Sequence, residues 1–215
     1  MQKFKNIFFD FDGTIADSSE GVIKSFEYVF DFYGISVDKS IYRKMIGPPL
    51  RETFSKILSF PDSEVGNAIK KYREYYRPYG LFECKIYDGF VDLLKSLRKK
   101  SYRIFVATSK PEHFARQILE HFKIDNLFDF IGGSSMDEKT RIEKVDVVRY
   151  VISENKLNPE ECILVGDRKY DVAGAHEAGI KCMGILWGFG SKQEFEESGA
   201  DFIFNDMKSV DEFFD

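Results

Sequence analysis

The sequence predicts an α/β protein, a parallel sheet with helices on both faces and a small all-helical insertion after the first strand. Three observations carry this expectation. In the second half of the chain, short apolar β-like runs alternate with amphipathic helical patterns, the signature of βαβ units. Residues 5–9 form one more such run near the start. Between Asp17 and about Tyr79 there is no convincing strand, and a segment of that length is far too long for an ordinary βα loop.

After the first strand, Val22, Phe26, Val29, Phe30 and Tyr33 recur at i, i+4, i+7, i+8 and i+11, one face of a helix starting near Asp17 or Ser18. Helical pieces at 38–45, 50–59 and 62–77 follow, separated by Gly47-Pro48-Pro49 and Phe60-Pro61. Tyr72, Tyr75, Tyr76 and Tyr79 have helical spacing and are expected to pack rather than to stack a ligand. The alternation resumes at Tyr87-Asp88-Gly89, where Asp88 is expected to cap a helix over 89–100. Strands are predicted at 102–107, 128–131, 161–165, 181–186 and 201–204, with helices at 111–122, 140–155, 169–178, 192–198 and 206–214. Val145, Val148 and Ile152 show the i, i+3, i+7 spacing of a helix that covers a sheet. The expected organisation is a core of residues 1–16 and 81–215, with residues 17–80 as a helical cap domain.

Composition narrows the class. At about 150 residues per domain, 215 residues make one domain or one and a half. Acidic residues outnumber basic ones 36 to 31, a net charge of −5, which argues against nucleic acid as a partner. The longest uncharged run is ten residues, from Cys182 to Ser191, too short for a membrane span of roughly 18. Ile7-Phe8-Phe9 is likewise too short for the apolar region of a signal peptide, about 7–15 residues. Three widely spaced cysteines form no C-x-x-C pair, and Cys162 lies in a strand-like run, so a buried reduced thiol is expected. Together these features predict a cytoplasmic location.

Three apolar runs end in polar clusters. Ile7-Phe8-Phe9 runs into Asp10-Phe11-Asp12-Gly13-Thr14, Ile104-Phe105-Val106-Ala107 into Thr108-Ser109-Lys110, and Ile163-Leu164-Val165 into Gly166-Asp167 and on to Asp171. In an open parallel sheet the carboxyl ends of the strands share one edge, where ligands bind, so the three clusters can meet. Each has a plainer reading alone: Asp12-Gly13 as a turn, Thr108-Ser109 as a helix cap, Asp167 and Asp171 as first-turn acids of a helix. Asp10 resists one, because a carboxylate at a buried strand end costs several kcal/mol unless paired or bound to a cation. Asp10, Asp12, Asp167 and nearby Asp171 would repel one another without a cation. Oxygen ligands with no His or Cys in the clusters suit Mg²⁺ rather than zinc. His113, His121 and His176 all lie elsewhere. An acidic, Mg²⁺-bearing edge with hydroxyl donors and a lysine fits phosphoryl transfer through an aspartyl phosphate.

Asp10-Phe11-Asp12-Gly13-Thr14, Thr108-Ser109-Lys110 and Gly166-Asp167-Arg168-Lys169-Tyr170-Asp171, in that order, resemble the motifs of the haloacid dehalogenase (HAD) superfamily. The resemblance covers the whole chain, including the Trp187-Gly188-Phe189-Gly190 segment, and is closest to the phosphoglycolate phosphatase-like branch. It implies a Rossmann-like core with a small helical cap. It also implies Asp10 as nucleophile and Asp12 as general acid/base. Mg²⁺ would be held by Asp10, the Asp12 backbone carbonyl and Asp167, with Asp171 orienting a ligand water or the lysine. Thr108 and the Ser109 backbone would bind the phosphoryl group. The family's lysine precedes the last acidic motif on a helix, which selects Lys144, 167 − 144 = 23 residues before Asp167, with Lys139 in reserve. Ser109 and Arg168 depart from the Asn and the Ser or Thr that many relatives carry. Asp12 argues against dehalogenation, since the dehalogenases of the superfamily lack that acid.

The expected activity is Mg²⁺-dependent hydrolysis of a small phosphate monoester, 2-phosphoglycolate-like or a nucleoside 5′-monophosphate. Arg51, at the end of a rigid proline-containing loop, is the candidate contact for a second anionic group. A phosphosugar mutase and a non-enzymatic phospho-acceptor domain are the alternatives; the second is disfavoured by length and by the helical insertion. The expected partner is a small phosphorylated metabolite, with no nucleic acid and no membrane, for a monomer or homodimer.

Overall fold

The computed structural model describes residues 4–136 and 140–215, and the reserve lysine, Lys139, lies outside them. The chain divides into two compact units, one ending at Ala16 and resuming over Ile86–Asp215, the other spanning Asp17–Lys85. The helical unit thus runs to Lys85 rather than to residue 80. The two-residue strands β2 (Ala16–Asp17) and β3 (Lys85–Ile86) form a two-stranded sheet of their own.

The larger unit is built on a six-stranded parallel sheet. Its strands are β1 (Asn6–Phe9), β4 (Arg103–Pro111), β5 (Phe130–Ser134), β6 (Cys162–Gly166), β7 (Lys181–Ile185) and β8 (Phe202–Phe204). The order is β5-β4-β1-β6-β7-β8, with every pairing parallel. All four residues of β1 are buried, as expected for a central strand covered on both faces.

Side-chain alternation assigns the two faces. Phe8, Phe105 and Leu164 join a core with α6 (Lys144–Glu154), α7 (Lys169–Glu177) and Phe195 of α8 (Lys192–Ser198). Phe9 points the other way and meets Phe90 of α4 (Phe90–Lys99) edge to face, with ring centroids 5.3 Å apart. The remaining helices of this unit are α5 (Glu112–His121) and α9 (Met207–Phe213). One local expectation and one plainer reading fail. Gly89, at φ 83°, occupies the N-cap of α4, and no side-chain hydrogen bond from Asp88 caps it. Thr108 does not cap α5, because β4 continues to Pro111, the residue that occupies that N-cap.

The smaller unit contains α1 (Ser19–Tyr33), a 3₁₀ turn (Lys39–Met45), the single turn α2 (Leu50–Glu52), and α3 (Asp62–Tyr75). π-Helical turns follow α2 and α3, at Thr53–Ile57 and Tyr76–Gly80. Phe26 is its hub, with the rings of Tyr72 and Phe54 centred 4.9 and 5.4 Å away. Tyr72 and Tyr76 are buried, in line with packing, whereas Tyr79 is 62% exposed. Gly21 is needed for close approach: a Cβ there would sit 2.0 Å from the Gly80 carbonyl oxygen. Arg51 lies in α2, exposed.

Candidate active site

Parallel register brings the three polar clusters out at one edge. Phe9 is level with Val106 on β4 and Val165 on β6, so Asp10, Thr108 and Asp167 emerge together from adjacent strand ends. The Asp10 N–H donates to the Val165 carbonyl at 2.9 Å, which extends β1 by one residue and fixes the Asp10 backbone. Lys144 arrives from the first residue of α6. Asp171, in the first turn of α7, accepts the Arg168 N–H at 3.0 Å and so closes the start of that helix.

Lys144 Nζ sits 2.6 Å from Asp10 Oδ1, 2.8 Å from Asp171 Oδ1 and 3.1 Å from the Ala107 carbonyl oxygen. All three side chains are buried, and so is Asp167. Carboxylate oxygens of Asp10, Asp167 and Asp171 lie within 4.8 Å of one another. Burial pushes the Asp10 carboxyl up to about 6, and Asp171 adds to the shift, while Lys144 and a hydrogen bond from Thr108 oppose it. Asp167 is pushed well above the usual carboxylate range by burial and then by its two acidic neighbours. Burial alone would favour neutral Lys144, but the charges of Asp10 and Asp171 outweigh it and hold the ammonium above its ordinary pKa.

The loop after β7 serves Asp167. The Phe189 N–H donates to Asp167 Oδ2 at 2.7 Å, and the Trp187 indole N–H donates to the Thr14 carbonyl at 3.1 Å. Space here is tight enough to require glycine: a Cβ on Gly190 would lie 2.0 Å from the Asp167 carbonyl oxygen, and one on Gly188 2.4 Å from its Cβ. One oxygen of Asp167 is thereby fixed, while the other, Oδ1, is buried without a hydrogen-bond partner.

This arrangement fits a divalent cation. If all three carboxylates are ionised, the single ammonium leaves two negative charges uncompensated in a buried space, together with an orphaned carboxylate oxygen. An unpaired buried carboxylate costs several kcal/mol, and an all-oxygen donor set suits a hard ion.

Asp12 stands apart from the cluster. Its two carboxylate oxygens lie 2.8 and 2.9 Å from Lys110 Nζ. The sequence singled out Lys110 as part of a motif, but nothing in it joined residues 98 positions apart. The Phe189 contact was equally hidden, because a backbone N–H leaves no mark on residue identity. Ser109 is half-buried on the irregular end of β4, and Arg51 belongs to the other unit. None of the three histidines is in the cluster; His176 pairs instead with Asp201.

A family model for haloacid dehalogenase-like hydrolases matches residues 7–185, which span all three motif clusters. The chain belongs to this family. In curated sequences it resembles a 5′-nucleotidase from Pseudomonas aeruginosa, 38% identical over 193 residues, covering 89% of this chain and 87% of that one. It is also 35% identical, over 96% of its length and 70% of the relative's, to the tyrosine-protein kinase PtkA of Mycobacterium tuberculosis. Among solved structures, that of a predicted phosphatase from Clostridium acetobutylicum superposes with a TM-score of 0.94 at 40% identity, covering 98% of this chain and 97% of that one. The names of these relatives specify different phosphoryl chemistry.

Proposed function

We propose that this hydrolase is a Mg²⁺-dependent phosphatase of small phosphate monoesters that works through a phospho-aspartyl intermediate on Asp10. The observation that carries the reading is the buried Asp10–Lys144–Asp171 chain beside Asp167, at the strand ends where ligands of parallel sheets bind. Asp10, Asp167 and the Asp12 backbone carbonyl would hold Mg²⁺, with Asp171 orienting a ligand water or Lys144. The bound ion supplies positive charge that offsets repulsion between the Asp10 carboxylate and an anionic phosphate.

In the first half-reaction an Asp10 oxygen attacks phosphorus. The Asp10 O–P bond forms, the ester P–O bond breaks with its electron pair going to the leaving oxygen, and Asp12 donates a proton to that oxygen. In the second, water attacks phosphorus and gives a proton to Asp12, while the Asp10 O–P bond breaks and restores the carboxylate. Thr108 and Lys144 hold the equatorial phosphoryl oxygens, and the Ser109 backbone helps. Buried, ion-paired Lys144 is fixed in place, so it supplies a preorganised charge rather than a mobile one.

The similarity to a 5′-nucleotidase favours nucleoside 5′-monophosphates over 2-phosphoglycolate as the substrate class. The similarity to PtkA supports a second reading, transfer to a protein tyrosine. Phosphate release across a panel of nucleotides, sugar phosphates and phosphoglycolate, with and without a chelator, tests both. Chelator-sensitive release from nucleoside monophosphates is expected. Phosphotyrosine formed without release of free phosphate would replace the first reading with the second, and activity indifferent to chelation would end both.

A further inference from the structure

Lys110, near the end of β4, reaches Asp12 just beyond the end of β1. The pairing of β4 with β5 shifts register between Thr108 and Pro111, so the strand end is irregular, and such irregularities re-aim side chains beside active sites. The Lys110 N–H donates to the Thr108 hydroxyl at 3.1 Å, which ties the turn to the phosphate-binding threonine. The Lys110 side chain is 4% exposed, and its ammonium sits across both oxygens of Asp12, itself 18% exposed. A solvated surface pair would hold neither partner firmly; a buried ammonium on a carboxylate fixes its rotamer.

We propose that Lys110 is a positioning residue for Asp12, holding its carboxylate as the proton acceptor for water in the second half-reaction. This rests on the aspartyl-phosphate reading above. An ammonium spanning both oxygens keeps the carboxylate aimed while the water O–P bond forms and the Asp10 O–P bond breaks. Without Lys110 the carboxylate can rotate, and hydrolysis of the phospho-aspartate slows more than its formation does.

The test is rapid quench with p-nitrophenyl phosphate and Mg²⁺, since nitrophenolate leaves without needing a proton. Lys110→Met is expected to release its first equivalent of nitrophenolate within about threefold of the wild-type rate and then to turn over about 10–100-fold more slowly, accumulating phosphoenzyme. Lys110→Arg should recover most of the turnover. If Lys110 acts only through Asp12, the double variant Asp12→Asn/Lys110→Met should turn over within about twofold of Asp12→Asn alone. If Lys110→Met does not fold, Lys110→Gln takes its place with the same expectation. Burst and steady state falling together, or losses that multiply in the double variant, would overturn the proposal while leaving the Asp10 mechanism standing. A wild-type enzyme that forms no phosphoenzyme, with Asp10→Asn still active, would overturn both.

Discussion

At the carboxyl edge of the parallel sheet three buried carboxylates lie together, and the one lysine among them pairs with two, Asp10 and Asp171. At the amino edge the proportions are reversed. Asp201, just before β8, is held by Lys181, by His176 Nε2 at 2.9 Å and by the Cys182 N–H at 2.9 Å. Lys5, just before β1, pairs with Glu161. Burial alone would raise the Asp201 carboxyl, yet these hydrogen bonds outweigh it and keep it below its ordinary pKa. A cleft of about 950 Å³ at this edge is lined by Lys5, His176, Lys181 and Asp201, whose charges are paired. What separates the edges is uncompensated charge. An edge that over-satisfies its carboxylate gains stability, and one that under-satisfies three of them leaves the charge that the cation of the proposed mechanism would offset.

Five outcomes would break or sharpen this contrast. The largest effect is expected from Asp10→Asn, which should lower hydrolysis of an aryl phosphate by about 10⁴-fold or more while the fold persists by circular dichroism. Next, Asp167→Asn should reverse the usual sign of a buried substitution. It relieves repulsion from Asp10 and Asp171, so the metal-free protein should gain about 1–3 kcal/mol by thermal melting, yet lose the extra stability that Mg²⁺ confers. Gly190→Ala, which would drive a Cβ into the Asp167 carbonyl, should weaken Mg²⁺ binding about 10–100-fold by calorimetry.

The fourth outcome concerns pH. Because Asp10 titrates near 6 in the folded metal-free protein and near 4 when unfolded, the folded state holds the extra proton between those values. Stability should therefore fall by about 2–3 kcal/mol as pH rises from 4 to 6 in a chelator, and Mg²⁺ should suppress the fall. At the amino edge the sign is opposite: the stabilisation from Asp201 is present above about pH 4 and lost as pH falls. The smallest effect should come from Asp201→Asn, a loss of about 1 kcal/mol at neutral pH with kcat/KM unchanged. A large loss of activity there would dissolve the distinction between the edges.

The residues that made the carboxyl edge legible are those whose types conflict with their positions. Asp10 after Ile7-Phe8-Phe9, and Asp167 after Ile163-Leu164-Val165, are carboxylates where burial penalises charge, and that conflict is visible in one dimension. Parallel strands then do the rest, because register alone aligns Phe9 with Val106 and Val165. Lys144 follows from the family resemblance, whose lysine precedes the last acidic motif on a helix, and not from spacing alone. Three features were not legible. Asp88 looked like a cap, but the left-handed conformation of Gly89 starts α4 without it. The π-helical turns at Thr53–Ile57 and Tyr76–Gly80 correspond to no periodic signal along the chain. Lys110 and the Phe189 N–H act across the fold, and pairwise tertiary contacts leave no spacing rule along the chain.

The central claim is that Asp10 becomes esterified by phosphorus, and acid quench of the enzyme during turnover followed by peptide mass spectrometry examines it directly. The account predicts a hydroxylamine-labile phosphoryl adduct on the peptide carrying Asp10, lost in Asp10→Asn. A turning-over enzyme whose phosphoryl adduct maps to another residue, with the Asp10 peptide unmodified, would contradict it.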